Sequence, residues 1–342
     1  MSKKKYILIS VIIVVLALVY FSIISPIYEN YKDATNVKNF TEDKENVFVN
    51  TFYGLFKINK DNNEISEVKK MGGFIVEIVV DENDEKWVIA YEDTLYSFKN
   101  EQKVIKHHPP FKIDKNQYMN DWDNIKIDQL GTKWILVHTG AFMNELYSYD
   151  VGHWEKFPFP EKGLRDNMLI DKYDDILFPT SKKLLILENY GAPGDGGQMN
   201  VPRNWEWSET DYPSKDFTEN NSFVDKEHNI WISGYSNGNY SLYRFEYPEF
   251  IKYNFNKEIK ALDSDTNGKV WIATEDGIEI LNEKNSLIPK KEISKIFIDS
   301  NNKKWIGKYH SHSIECYDGK EWKSYDFEIF KHVLKDFFNN LF

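Results

Sequence analysis

Apolar and polar residues alternate along this chain in short runs, each broken by a turn rich in Asp, Asn or Gly. Between positions 76 and 106, Val76-Glu-Ile-Val-Val, Trp87-Val-Ile-Ala, Leu95-Tyr-Ser-Phe98 and Lys103-Val-Ile-Lys106 follow one another. A period of two marks a half-buried strand, and Asp and Asn bond their own backbone and favour reversals. The segment therefore predicts four short antiparallel strands.

The same unit recurs. An acidic residue six positions before an aromatic that opens an apolar strand links Asp81 to Trp87, Asp128 to Trp134, Asp225 to Trp231, Asp265 to Trp271 and Asp299 to Trp305. Two degenerate copies, Glu42 to Phe48 and Asp171 to Leu177, complete seven. Their anchors are 34 to 54 residues apart, the length of one four-stranded propeller blade. A lone blade cannot bury both faces, so the copies must stack around an axis. The sequence predicts an all-β, seven-bladed β-propeller over 34–327. Its blades fall at 34–72, 73–110, 120–160, 166–213, 217–256, 258–289 and 292–327, and the anchor tryptophans form the blade-to-blade core. A poor innermost strand in blade one would draw on the C-terminal segment for closure.

The copies from Asp265 to Ile278 and Asp299 to Ile314 resemble the two-component-regulator propeller repeat, D-x-x-G-x-[LIV]-W-[IV]-G-T-x-x-G-[LI]. That resemblance implies a seven-bladed propeller serving as the extracytoplasmic sensing part of a membrane receptor. A similar repeat in streptogramin lyase implies an enzyme as the alternative.

Lys3-Lys4-Lys5 precedes an uncharged run from Tyr6 to Tyr28. About 20 apolar residues cross a bilayer core, so residues 1–28 are expected to form a transmembrane anchor. The competing reading is a cleaved signal peptide. It is disfavoured by the length of the run and by the lack of a small-x-small pair between Ala17 and Tyr28. Lysines stay on the cytoplasmic side, which puts the N-terminus in the cytoplasm and the propeller outside the cell membrane, after a polar stalk at 29–40. Five residues before the run are too few for an output module, so a signalling role would need an envelope or membrane partner to relay it.

Composition narrows the partners. The formal net charge of −11 argues against nucleic acid, whose affinity rests on cations neutralising phosphates. The single cysteine, Cys316, alternates with Ile314 and reads as a small buried hydrophobe; no intramolecular disulfide can form.

Function in such a fold sits on loops held by a rigid scaffold. Blades three, five and seven have the longest intervals from anchor to third strand: His138-Thr-Gly-Ala-Phe142-Met-Asn144, Tyr235-Ser-Asn237-Gly-Asn-Tyr240 and Tyr309-His310-Ser-His312. The candidate ligand-binding residues are His138, Phe142, Asn144, Tyr235, Asn237, Tyr240, His310 and His312, which suit stacking on a glycan or peptide; packing of the loop aromatics on one another is the competing reading. Asp263-Ser-Asp265-Thr-Asn267-Gly268 resembles the start of a calcium loop, but position twelve is Thr274, and a plain turn fits better. His310 and His312 share a strand face without the further ligands a zinc site needs. His107-His108 reads as a solvated turn. No nucleophile elbow, phosphate loop or HExxH motif is present. No cofactor, metal or catalytic residue is assigned.

Two segments offer other surfaces. Asn189 to Arg203, with four glycines and two prolines, predicts a surface loop on the opposite face. Residues 328–342 place apolar pairs at 329/330, 333/334, 337/338 and 341/342, which predicts a short amphipathic helix. The leading expectation is a binding or sensor module. The alternatives are a lyase or hydrolase using His310, His312 or His138 as acid/base groups, and a structural scaffold in an envelope complex.

Overall fold

The computed structural model describes residues 37–327 except 52–53, 69–74, 91–93, 102, 109–119, 140–143, 161–166, 191–203, 310 and 312; at 120–123, 138, 139, 144, 190 and 204 it describes the backbone only. The expected anchor at 1–28, the blade-four loop at 191–203 and the C-terminal helix at 328–342 lie outside these residues. Among the described residues no helix is long and apolar enough to cross a membrane.

The described strands form seven four-stranded antiparallel sheets, each a contiguous piece of chain, arranged as a seven-bladed propeller. The first strand of each blade faces the axis: Val37–Glu42, Ile75–Val80, Asn120–Ile127, Leu169–Ile170, Thr218–Val224, Ala261–Ser264 and Ile293–Ile298. Blade one has its own innermost strand, so the ring closes without strand exchange.

The acidic residue of each repeat shapes the turn after that first strand. In six blades its Oδ1 accepts the backbone amides two and four residues on, at 2.8 to 3.1 Å. In five its Oδ2 accepts the indole Nε1–H of the anchor tryptophan, at 2.8 to 3.1 Å. The six-residue spacing is thus one carboxylate serving a turn and a core side chain together. Asp265 is consumed in this way, which settles its calcium-like segment as a turn. Blade one departs from the expected spacing. There Asp43, not Glu42, accepts the amides of Glu45 and Asn46, because the turn is one residue shorter.

The residue three past each turn acid takes a left-handed backbone, with φ from 58° to 83° at Asp84, Gly131, Asp174, His228, Gly268 and Asn302. Glycine is the cheapest residue there. Three non-glycine choices join blades: Asp84 accepts from Lys44 N, Asp174 from Gln129 N and Asn302 from Thr266 N, each in the preceding blade's turn.

Seven apolar clusters fill the seven junctions, and each holds one anchor: Phe48, Trp87, Trp134, Leu177, Trp231, Trp271 or Trp305. The lysine before an anchor caps the previous blade's ring: Lys133 lies 4.1 Å from the Trp87 centroid, Lys304 4.6 Å from Trp271 and Lys86 5.5 Å from Phe48. Such cation–π contacts strengthen as they are desolvated. Cys316 is buried in the junction of blades seven and one, where burial pushes its thiol up to about 12.

His107 corrects the expectation of a solvated turn. It is half-buried between blades two and three, its Nε2 against Ser97 Oγ at 2.9 Å and its Nδ1 against Tyr149 Oη at 2.8 Å. Burial holds it below the usual imidazole range.

Candidate functional site: the central channel and its mouth

The first strands enclose a channel of 1520 Å³. One register position of those strands, opposite the residue two past the anchor, carries Asn39, Glu77, Asn221 and Lys295. Three of these side chains reach the next blade's backbone. Asn39 Nδ2 donates to Ile78 O at 2.9 Å, Asn221 Nδ2 donates to Ile259 O at 2.8 Å, and Glu77 Oε2 accepts from Ile125 N at 2.8 Å. Stitches of this kind hold the wall at fixed spacing.

Charge on the wall is uneven. Glu77 Oε1 pairs with Lys126 Nζ at 2.7 Å. Lys38 and Lys295 also line the channel, and burial lowers the pKa of both amines. Glu77 partly offsets this at Lys295, while Lys126 adds to it. Lys295 is reached by solvent, but only within a space walled by protein. On blade six, Asp263 accepts the amides of Ile298 at 2.6 Å and Ser264 at 2.8 Å; burial still pushes its carboxyl up to about 7.

At the mouth, the expected long loop of blade five is strand. Ile230–Ser236 and Asn239–Glu246 run up to a two-residue turn, Asn237-Gly238, with φ of 50° and 81°. Positive φ at both positions is the hairpin turn whose twist matches the flanking strands. The sequence signal was the Asn-Gly pair itself. Tyr235 lies opposite Thr218, a channel residue, and is 46% exposed. Its ring meets that of Tyr240 edge-on, with centroids 5.2 Å apart. Tyr240 lies within electrostatic reach of Glu258 and Lys260, which form an ion pair at 2.6 Å, and Lys260 lines the channel. Asn237 N donates to Asp216 Oδ2 at 3.2 Å, tying the hairpin to the connector from blade four.

The structure thus brings Tyr235, Asn237 and Tyr240 together. His138 and Asn144 pair across the blade-three hairpin as backbone. Phe142, His310 and His312 lie outside the described residues. Among the described residues no cluster of three metal-ligating side chains occurs. The charged wall was missed because its members stand one or two to a blade, far apart in sequence.

No protein-family model matches the chain, and no curated protein sequence matches it. Solved structures do. Streptogramin B lyase superposes with a TM-score of 0.61 at 12% identity, over 86% of this chain and 95% of that one. The extracellular domain of a putative hybrid two-component system from B. thetaiotaomicron gives 0.53 at 17% identity, over 86% of this chain and 46% of that one. YCF48 bound to D1 peptide gives 0.56 at 12% identity, over 81% and 91%. At these identities the likeness is one of fold.

Proposed function

We propose that the propeller is a binding module that takes a glycan or peptide at the channel mouth, and that the lysine-flanked apolar run at 6–28 anchors it with the propeller outside the cytoplasm. The observation that carries the reading is the edge-on pair of exposed Tyr235 and half-buried Tyr240, beside the Glu258–Lys260 ion pair at the rim of the channel. Aromatic faces with a few fixed polar groups beside a concave space are the usual make-up of a ligand site. Two propellers of similar fold support the reading by their own roles, one an extracellular domain of a two-component system and the other bound to a peptide.

The test is a thermal-shift screen of the full chain with envelope glycans and peptides. A ligand at 100 times its dissociation constant adds about 2.7 kcal/mol of stability. Tyr235→Ala/Tyr240→Ala should keep the fold and lose the shift. A shift that persists in the double variant removes the mouth assignment. Anchoring is tested separately: the protein should resist carbonate extraction, and its propeller should be open to protease added outside intact cells.

A further inference from the structure

The chain enters and leaves the propeller on one face. In blade five the first strand begins at Thr218, opposite Tyr235 of the mouth hairpin. Blade one repeats that register: its first strand begins at Val37, opposite Thr51 at the end of the second. Val37 is therefore at the mouth end of its strand, beside Lys38 and Asn39, which line the channel. The outermost strand of blade seven, Trp322–Asp326, ends with Asp326 opposite Ser313, which opens the third strand after positions 309–312 of the mouth. Phe327, stacked on Phe56, ends the described chain on the same face.

Chain length then limits which way that face can turn. Eight residues, 29–36, separate Val37 from the uncharged run that ends at Tyr28, and fully extended they reach about 29 Å at most. For the opposite face to lie on a bilayer, they would have to cross a blade from its first strand to its fourth and then descend its side. Strands about 4.8 Å apart make the first leg about 14 Å, and six residues of strand at about 3.3 Å each make the second about 20 Å. Together these exceed the reach. Residues 328–342, with their paired apolar positions, continue from the same face, and a segment of that pattern suits a headgroup surface.

We propose that the mouth face of the propeller is apposed to the lipid surface that carries the anchor. Tyr235, Tyr240 and Lys260 then open towards the headgroups, and the ligand is met at the membrane surface rather than in the bulk medium. This rests on the reading of residues 6–28 as an anchor and adds the direction in which the mouth looks.

Reconstitution of the full chain in phosphatidylcholine vesicles with an energy acceptor linked to some headgroups tests it. A donor dye is placed on Ser181→Cys, in the mouth-face turn between the second and third strands of blade four, or on Asn267→Cys, in the opposite-face turn of blade six. Both positions are exposed, and Cys316 is buried. Energy transfer should be at least twofold higher from Ser181→Cys. A Gly-Ser insertion of about 20 residues after Asn30 should abolish that difference, because it lengthens the reach beyond the detour. Equal transfer from the two sites, or higher transfer from Asn267→Cys, overturns the proposal; the second result would mean that residues 29–36 run down the lumen. Protein that does not float with the vesicles removes the anchor reading and this inference together. A thermal shift that depends on the two tyrosines leaves the mouth site standing in either case.

Discussion

The indole Nε1–H of Trp305 donates to Asp299 Oδ2 at 2.8 Å, and both side chains are fully buried. The other oxygen of Asp299 holds the amides of Asn301 and Lys303. Replacing the indole by a benzene ring keeps much of the packing and takes one donor from a buried carboxylate. Stranding such a group costs about 1–3 kcal/mol. Trp305→Phe should lose that much in urea unfolding, and Asp299→Ala should lose more, since it also releases the turn. Equal losses would mean that the indole bond, not the turn, carries the contribution of the pair.

Asp171 is the same acid in the one repeat whose anchor is Leu177. Burial raises its carboxyl to about 7, with Asp175 and Asp174 adding to the effect against the amides of Tyr173 and Asp175. At Asp265 burial also acts upward, but the Trp271 indole and the turn amides outweigh it and leave the group below its ordinary value. An acid whose folded pKa is raised binds a proton in the fold that the unfolded chain has given up. Its cost is full above about pH 7 and fades as pH falls towards the unfolded value near 3.9. Asp171→Asn keeps an acceptor for the two amides and removes the charge. It should stabilise by more than about 1 kcal/mol at pH 8, with the gain gone by pH 4. Parallel stability profiles of the variant and the wild type across that range would contradict this.

The left-handed turn position offers a pair of opposite cases. At His228, relief of backbone strain on substitution by glycine is offset by the greater freedom of the unfolded chain, so His228→Gly should shift stability by no more than about 1 kcal/mol. Asn302 also accepts from Thr266 N at 2.9 Å and donates to Thr266 Oγ1 at 2.6 Å. Losing both bonds, Asn302→Gly should cost about 1–2 kcal/mol. Chemical denaturation of the two variants side by side checks the difference; equal effects would remove Asn302 as a link between blades six and seven.

Gly234 sits beneath the mouth hairpin. A Cβ there would lie 2.3 Å from Phe217 Cζ and 2.4 Å from Thr218 O, so backbone must move. Gly234→Ala should cost about 1–3 kcal/mol and weaken any ligand held by Tyr235, which pairs with Thr218. A variant with unchanged melting temperature and unchanged affinity would show that the hairpin absorbs the displacement.

The ring of blades was legible because its cause is local. A carboxylate must reach its own turn and a side chain six residues on, so the spacing from Asp265 to Trp271 is written in adjacent residues. The Asp43 turn was misread as Glu42 because shortening a turn by one residue shifts the acid without changing the pattern around it. The channel was illegible for a different reason. Lys295 and Glu77 hold the same register position on the channel wall although 218 positions separate them, and no periodicity within a blade reports which residues of seven blades share a height. His107 was hidden likewise, since its partner Tyr149 belongs to the next blade.

Among the described residues, the seam between the last blade and the first is held by side-chain and turn contacts. Phe327 stacks on Phe56 with centroids 4.7 Å apart, Tyr325 Oη donates to Asn63 Oδ1 at 3.1 Å, and Glu42 accepts from Ser300 N and Oγ at 3.0 Å. A Cβ on Gly307 would come within 2.8 Å of Val37, which places the first described strand against blade seven. Both ends of the described propeller therefore sit at one junction, and among the described residues each blade is built from one contiguous piece of chain. The order of the blades along the polypeptide is then separable from their order around the axis. A circular permutant that joins these ends and opens the chain between two other blades should fold to the same ring.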